Sequence, residues 1–282
     1  MEAIEHAILW PCRENFPFKY HLLATMSFTQ KIRGLITLCL APLLTFVVSV
    51  CALVDMLLIR RSEWKAQWFP RIWGRGICLM AGVKVIVEGL EQIDPKGTYI
   101  FAANHASQFD IFAFQGYFPH DFRWIAKKEL FKLPVFGRAM QKVGYIPIDR
   151  SHGRQAVKSL DDAAKQIAAG KSVLIFPEGT RSPNGHLQEF KAGAILLAIK
   201  SGVPIVPLGF NGSYEILPRG SFLAKNGIIT LRLGPPLPTA HFKAKDKEYL
   251  LQQLRNEVAK LLEAQYQPEE KALCETTIEQ EG

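Results

Sequence analysis

The segment Asn104-His105-Ala106-Ser107-Gln108-Phe109-Asp110 sets an imidazole and a carboxylate five residues apart, just after a short apolar run. Such a pair can serve as a general base and its orienting partner. Neutral imidazole takes the proton of an attacking hydroxyl, while the carboxylate fixes the tautomer and stabilises the imidazolium that forms. Positions five apart on a regular helix lie about 140° apart. His105 is therefore expected in a strand-to-helix turn, with Ser107 as a cap and Asp110 in the first helical turn. The spacing by itself is weak, because His241 and Asp246 repeat it in a Lys-rich stretch that reads as solvated surface. Taken alone, His105 is equally well explained by a structural or capping role.

A second segment, Phe176-Pro177-Glu178-Gly179-Thr180-Arg181-Ser182, ends another apolar run. A strand that stops at Pro and turns through Gly exposes backbone N–H groups. With Arg181 beside them and the Thr180 and Ser182 hydroxyls added, they form a cradle suited to phosphate. The plain alternative is an ordinary charged turn. Gly144-Tyr145-Ile146-Pro147-Ile148-Asp149-Arg150 closes a third run with another Arg, and Lys127 and Lys128 follow a fourth. A surface Asp–Arg pair and a solvated helix start are the corresponding plain readings.

The elements that must position these residues alternate. Strands are expected over Val83–Val87, Tyr99–Ala103, Gly144–Ile148, Ser172–Phe176, Ile205–Phe210 and Ile228–Leu233, each bounded by Gly, Pro or charge. Helices are expected over Gln155–Ala169, Ala192–Ser201 and Lys247–Gln265, from their apolar periodicity and the Gly residues that stop the first two. This alternation predicts an α/β fold, a largely parallel sheet flanked by helices. Ligands of such sheets bind beyond the strand ends, where the motifs fall.

The 282 residues carry a formal charge of +8, but the last twenty hold six Glu and one Lys, so residues 1–262 carry +13. A basic body suits an acidic partner, whether nucleic acid, an anionic membrane or a phosphorylated substrate. Leu35–Val54 chooses among these: twenty residues without a charge, about 30 Å long as a helix and enough to match a bilayer's hydrocarbon core. This predicts an N-terminal hydrophobic membrane helix and disfavours nucleic acid. Residues 60–84 hold six Lys/Arg against one acid, and residues 1–33 four against three, which puts the C-terminal body in the cytoplasm. Pro42 would kink the helix, so a segment that enters one leaflet and returns competes with one that spans. The expected organisation is a membrane-associating region (1–75), a catalytic domain (76–265) and an acidic, flexible tail (266–282). Five scattered cysteines with no Cys/His cluster argue against zinc and against a disulfide framework.

Asn104–Asp110, Gly144–Arg150, Phe176–Ser182 with Phe190-Lys191-Ala192-Gly193-Ala194, and Val203–Phe210 occur in the order and spacing of the glycerolipid acyltransferases. The chain resembles that family over roughly residues 80–240, in particular bacterial 1-acyl-sn-glycerol-3-phosphate acyltransferases. The resemblance implies that His105 is the general base and Asp110 its partner. It implies that Arg150, Glu178, Gly179, Thr180 and Arg181, assisted by Lys127, bind the acceptor phosphate, and that the Pro204–Pro207 strand walls the acyl pocket. It also implies a lysophospholipid acceptor, acyl-CoA or acyl-carrier protein as co-substrate, anionic lipids as partners, no metal and no cofactor. In a bacterium the site of action would be the inner membrane. No Ser or Cys stands beside the base and no GxSxG elbow occurs, so direct attack without an acyl-enzyme is expected. Lyso-ornithine lipid as acceptor, a membrane-associated thioesterase and a non-catalytic binder of anionic lipid are the competing readings.

Overall fold

The computed structural model describes residues 26–58, 67–149 and 154–269. Seven strands form one sheet: β1 (Val83–Glu88), β2 (Ile100–Ala103), β3 (Arg123–Lys127), β4 (Ile146–Ile148), β5 (Val173–Ile175), β6 (Ile205–Asn211) and β7 (Gly227–Leu233). Their order is β1-β7-β6-β2-β5-β3-β4. Every pairing is parallel except β6 with β7, so the sheet is mixed and largely parallel.

The helices are α1 (Phe28–Leu58), α2 (Trp68–Ala81), α3 (Phe109–Tyr117), α4 (Phe136–Lys142), α5 (Arg154–Ala168), α6 (Ala192–Ser201), α7 (Ser213–Ile216) and α8 (Lys247–Leu261). The buried central strand β2 shows why they fall on two sides. Its alternate side chains point to opposite faces: Phe101 and Ala103 join a core with α2 and α3, whereas Ile100 and Ala102 join one with α5, α6 and α8. The result is a sheet between two helical layers.

The expected strand from Gly144 begins instead at Ile146, because Gly144, with φ +83°, closes the turn after α4. The last expected helix stops at Leu261 rather than Gln265. Tyr266 then inserts a buried ring, and its carbonyl accepts the Leu187 N–H at 3.0 Å. A tail starting at residue 266 is thus corrected: the chain is docked as far as Glu269, whose carboxylate accepts from Asn184. The boundary at 75/76 falls inside α2. No apolar run announces this helix, because Arg71 and Arg75 interrupt it. They donate to Pro119 and Gly116 carbonyls at the far end of α3, which makes α2 part of the body.

α1 runs through Pro42 without ending and is longer than the twenty-residue run. Phe28–Asp55 is long and apolar enough to cross a membrane. It is also bound to the body along its length. Gln30 Nε2 donates to Asn226 Oδ1 at 2.9 Å, Gly34 packs against the Ala224 backbone, and Trp73 Nε1 of α2 donates to Thr45 Oγ1 at 2.8 Å.

α2 and α3 cross at Gly74 and Gly116. A Cβ on Gly74 would stand 2.6 Å from the Phe112 carbonyl oxygen and 2.7 Å from the Gly116 nitrogen, both backbone atoms that cannot swing away. Gly74→Ala is expected to destabilise the protein by about 1–3 kcal/mol, the usual cost of overpacking, and to lower the thermal unfolding midpoint in detergent. An unchanged midpoint would show that the crossing is looser than the geometry implies.

Candidate active site

The parallel register of β2 with β5 aligns Ile100, Phe101 and Ala102 with Val173, Leu174 and Ile175. The two turns that follow, 104–108 and 176–182, therefore emerge side by side from one edge of the sheet. β3 and β4 end on the same edge, where Lys127 pairs with Ile148. Asn104 fastens the first turn to β6: its side chain donates to the Phe210 carbonyl at 3.0 Å and accepts the Phe210 N–H at 2.7 Å.

One oxygen organises the turn into α3. Asp110 Oδ2 is within hydrogen-bond distance of His105 Nδ1 (2.8 Å) and accepts the N–H groups of Ala106 (2.9 Å) and Ser107 (2.9 Å). The Asp110 side chain is fully buried, at the N-terminal end of α3, where backbone N–H groups and the helix dipole favour a carboxylate. The N-cap position falls on Gln108 rather than on Ser107; the Ser107 hydroxyl accepts the Phe109 N–H at 3.2 Å and donates to the Leu217 carbonyl. An ionised Asp110 requires the proton on His105 Nδ1, and that leaves the Nε2 lone pair as the basic site. The imidazole lies flat on Phe176, with centroids 3.9 Å apart and planes 12° apart.

A cavity of about 950 Å³, at the upper end of the range for ligand sites, opens onto this imidazole. Its polar edge includes His105, Lys127, Gly179, Thr180, Arg181 and Lys191. Apolar side chains make up most of the rest. They include Trp124, Met140, Val143, Leu160, Leu174 and Leu197 from the body, and Phe69 and Trp73 of α2. Val48 and Ala52 bring α1 itself into the wall.

Gly179 has φ +75°, a conformation that other residues adopt only with strain, and a Cβ there would meet Lys191 Nζ at 2.9 Å. Lys191 is thus a cationic group of the site that no local pattern in the sequence singles out. Its place after Phe190 marks the segment, but only the fold shows the ammonium lying over the glycine turn. The cations Lys127, Arg181 and Lys191 come together around the cavity, while Arg150 lies outside the described residues.

Three expectations need correction. Glu178 does not face the cavity: it is buried, and its Oε1 accepts the His105 N–H at 2.9 Å. Burial pushes its carboxyl up to about 8, with Asp110 adding to the shift and the His105 N–H and Arg255 opposing it. The Ser182 hydroxyl is used within its own turn, donating to the His186 carbonyl and accepting the Gly185 N–H. The Pro204–Pro207 strand does not wall the cavity, since β6 lies in mid-sheet with all seven residues buried. The wall comes instead from β3, β5, α4 and α6. His241 and Asp246 behave as surface: His241 is exposed and Asp246 accepts the Lys243 N–H.

Comparison with known proteins agrees with this geometry. A family model described as Acyltransferase matches residues 84–211. The 1-acyl-sn-glycerol-3-phosphate acyltransferase of Pseudomonas aeruginosa is 30% identical over 221 residues, covering 77% of this chain and 78% of that protein. A chloroplastic 1-acyl-sn-glycerol-3-phosphate acyltransferase of Brassica napus is 32% identical over 202 residues, 70% of this chain. The chain spans only 58% of that plant protein and 43% of its Arabidopsis thaliana counterpart. The crystal structure of the 1-acyl-sn-glycerophosphate acyltransferase of Thermotoga maritima superposes with a TM-score of 0.66 at 27% identity, covering 81% of this chain and 97% of that one.

Proposed function

The chain belongs to the 1-acyl-sn-glycerol-3-phosphate acyltransferase family, and we propose that it transfers a fatty acyl group from an acyl thioester to the free hydroxyl of 1-acyl-sn-glycerol-3-phosphate, giving phosphatidic acid. The observation that carries this reading is the His105–Asp110 couple on the wall of a large apolar cavity edged by Arg181, Lys191 and Lys127. The cavity receives the acyl chain of the donor, either acyl-CoA or acyl-carrier protein. The cations receive the acceptor phosphate, to which Arg181 can offer a planar fork of donors.

The acceptor hydroxyl gives its proton to His105 Nε2 as its oxygen attacks the thioester carbonyl carbon. Asp110 stabilises the imidazolium, and the Phe176 face holds the ring in place. Collapse of the tetrahedral intermediate breaks the C–S bond, and the imidazolium returns the proton to the leaving sulfur. Donor and acceptor react directly in a ternary complex, and every proton in the sequence is moved by groups of the chain, with no metal or cofactor.

The same reading places the protein on the cytoplasmic face of a membrane, in contact with anionic lipids. α1 touches the body from Gln30 to Ala52, so an α1 that crossed the bilayer would draw the flank of the body into hydrocarbon. α2 adds exposed apolar side chains of its own, Trp68, Ile72 and Leu79. We therefore place both helices within one leaflet, with the cavity they help to line open to lipid.

Two tests follow from this reading. The first measures acyl transfer to a panel of lysolipids, lyso-ornithine lipid included, from both donors. His105→Ala should cut kcat by about 10²- to 10⁴-fold, the range for a general base. Arg181→Ala should mainly raise KM, by about tenfold for lysophosphatidate, as expected for a ground-state phosphate contact. An equal loss with a phosphate-free acceptor would overturn the phosphate assignment, and thioester hydrolysis indifferent to lysolipid would overturn transfer. The second test places a single cysteine at Ser27 in a chain otherwise free of cysteine and treats it with a membrane-impermeant maleimide. Labelling from the cytoplasmic face alone is expected; labelling from the opposite face would show that α1 spans.

A further inference from the structure

His105 links Asp110 to the cavity, so whatever fixes its backbone fixes the base. The β2–β6 ladder ends at Ala103, and beyond it the main chain of His105 needs other partners. It finds them on the neighbouring turn: the His105 N–H donates to Glu178 Oε1 at 2.9 Å, and its carbonyl accepts the Ser182 N–H at 2.7 Å. The ring rests on Phe176 from the strand that leads into the same turn. The 176–182 turn therefore grips His105 by both backbone polar groups and by the face of its ring.

We propose that Glu178 is a positioning residue for the base, locking the His105 backbone to the turn that carries Arg181, and is not a ligand of the acceptor phosphate. This rests on the acyl-transfer reading above. Two features argue for the lock and against the ligand. The side chain is 3% exposed, and its second oxygen, Oε2, is buried with no hydrogen-bond partner among the described residues. A carboxylate offered to a phosphate dianion would also repel it, whereas a neutral carboxyl accepts a backbone N–H at no such cost. Among the described residues, the groups that bear on Glu178 are the His105 whose N–H it holds, Asp110 from α3, which favours the neutral form, and Arg255 from α8, which opposes it. The lock also ties acceptor binding to catalysis, because Arg181 and the grip on His105 belong to one short segment.

The sign of the pH dependence follows from these neighbours. Glu178 is protonated below about 8; above that value the His105 N–H favours the carboxylate it binds, while burial and repulsion from Asp110 oppose a charge there, so ionisation strains the turn that holds the base. Activity of the wild type should fall on that alkaline limb. Glu178→Gln keeps an acceptor oxygen and has no proton to lose, so the limb should vanish.

The test compares Glu178→Ala and Glu178→Gln in the full chain, in lipid–detergent micelles, with kcat and lysophosphatidate KM measured from pH 6 to 10. Glu178→Ala should lose kcat by about a hundredfold, the cost of misplacing a reacting group by an ångström, with KM changed less than about threefold. Glu178→Gln should restore kcat to within about threefold at pH 7 and lack the limb near 8. A tenfold rise in KM with kcat retained in both variants would mean that Glu178 binds the acceptor, and would overturn the proposal. If circular dichroism shows that Glu178→Ala does not fold, the Gln profile decides: a limb that persists unchanged rejects the lock. His105→Ala, assayed alongside, separates the two levels. If it remains active, the base assignment falls and the lock with it. If it is inactive while both Glu178 variants keep wild-type kcat, only the lock falls.

Discussion

The site depends on one buried carboxylate oxygen. Asp110 Oδ2 gathers His105 Nδ1 and two backbone N–H groups within 2.9 Å. A buried charge is tolerated only when it is well supplied with donors. Here the donors to Oδ2 come from the turn that the carboxylate itself gathers, while Oδ1 is buried without a hydrogen-bond partner among the described residues. From the first turn of α3, Asp110 is thus at once the clasp of the 104–108 turn and the group that assigns the imidazole tautomer. A substitution that kept the fold but not the charge would leave the turn without a reason to close.

Everything else brings partners to that oxygen. The parallel pairing of β2 with β5 sets the 176–182 turn beside it, and β3 and β4 bring their own ends to the same edge. α3, which carries Asp110, is pressed into place by α2 through the glycine crossing, and α2 is held in turn by α1. α1 and the base are therefore joined through two helix contacts. α1 also forms part of the cavity wall, so its exposed apolar surface and the surface that would hold an acyl chain are continuous.

Much of this could be read from the residues. Strand-then-turn punctuation located six of the seven sheet strands, and Lys127 and Lys128 marked the end of the seventh. The argument that five-residue spacing excludes a shared helical face put His105 in a turn and Asp110 in the first turn of α3, where they lie. What escaped depends on tertiary register. Whether Glu178 faces the cavity or the neighbouring strand is decided by β2–β5 pairing, which no local pattern encodes. Val203–Phe210 reads as apolar whether it lines a pocket or fills mid-sheet, because strands of a covered parallel sheet are apolar on both faces. Lys191 became visible only when the positive φ of Gly179 brought the two together.

The central claim is that the acceptor attacks the thioester directly, with His105 as base and no covalent acyl-enzyme. Rapid mixing of the protein with an acyl thioester labelled in its acyl chain, in the absence of lysolipid, tests this most directly. Direct attack gives neither a stoichiometric burst of free thiol nor label retained on denatured protein, with both thiol and labelled phosphatidic acid appearing only once lysophosphatidate is added. A burst of one thiol per chain, with the label fixed to the protein, would contradict it.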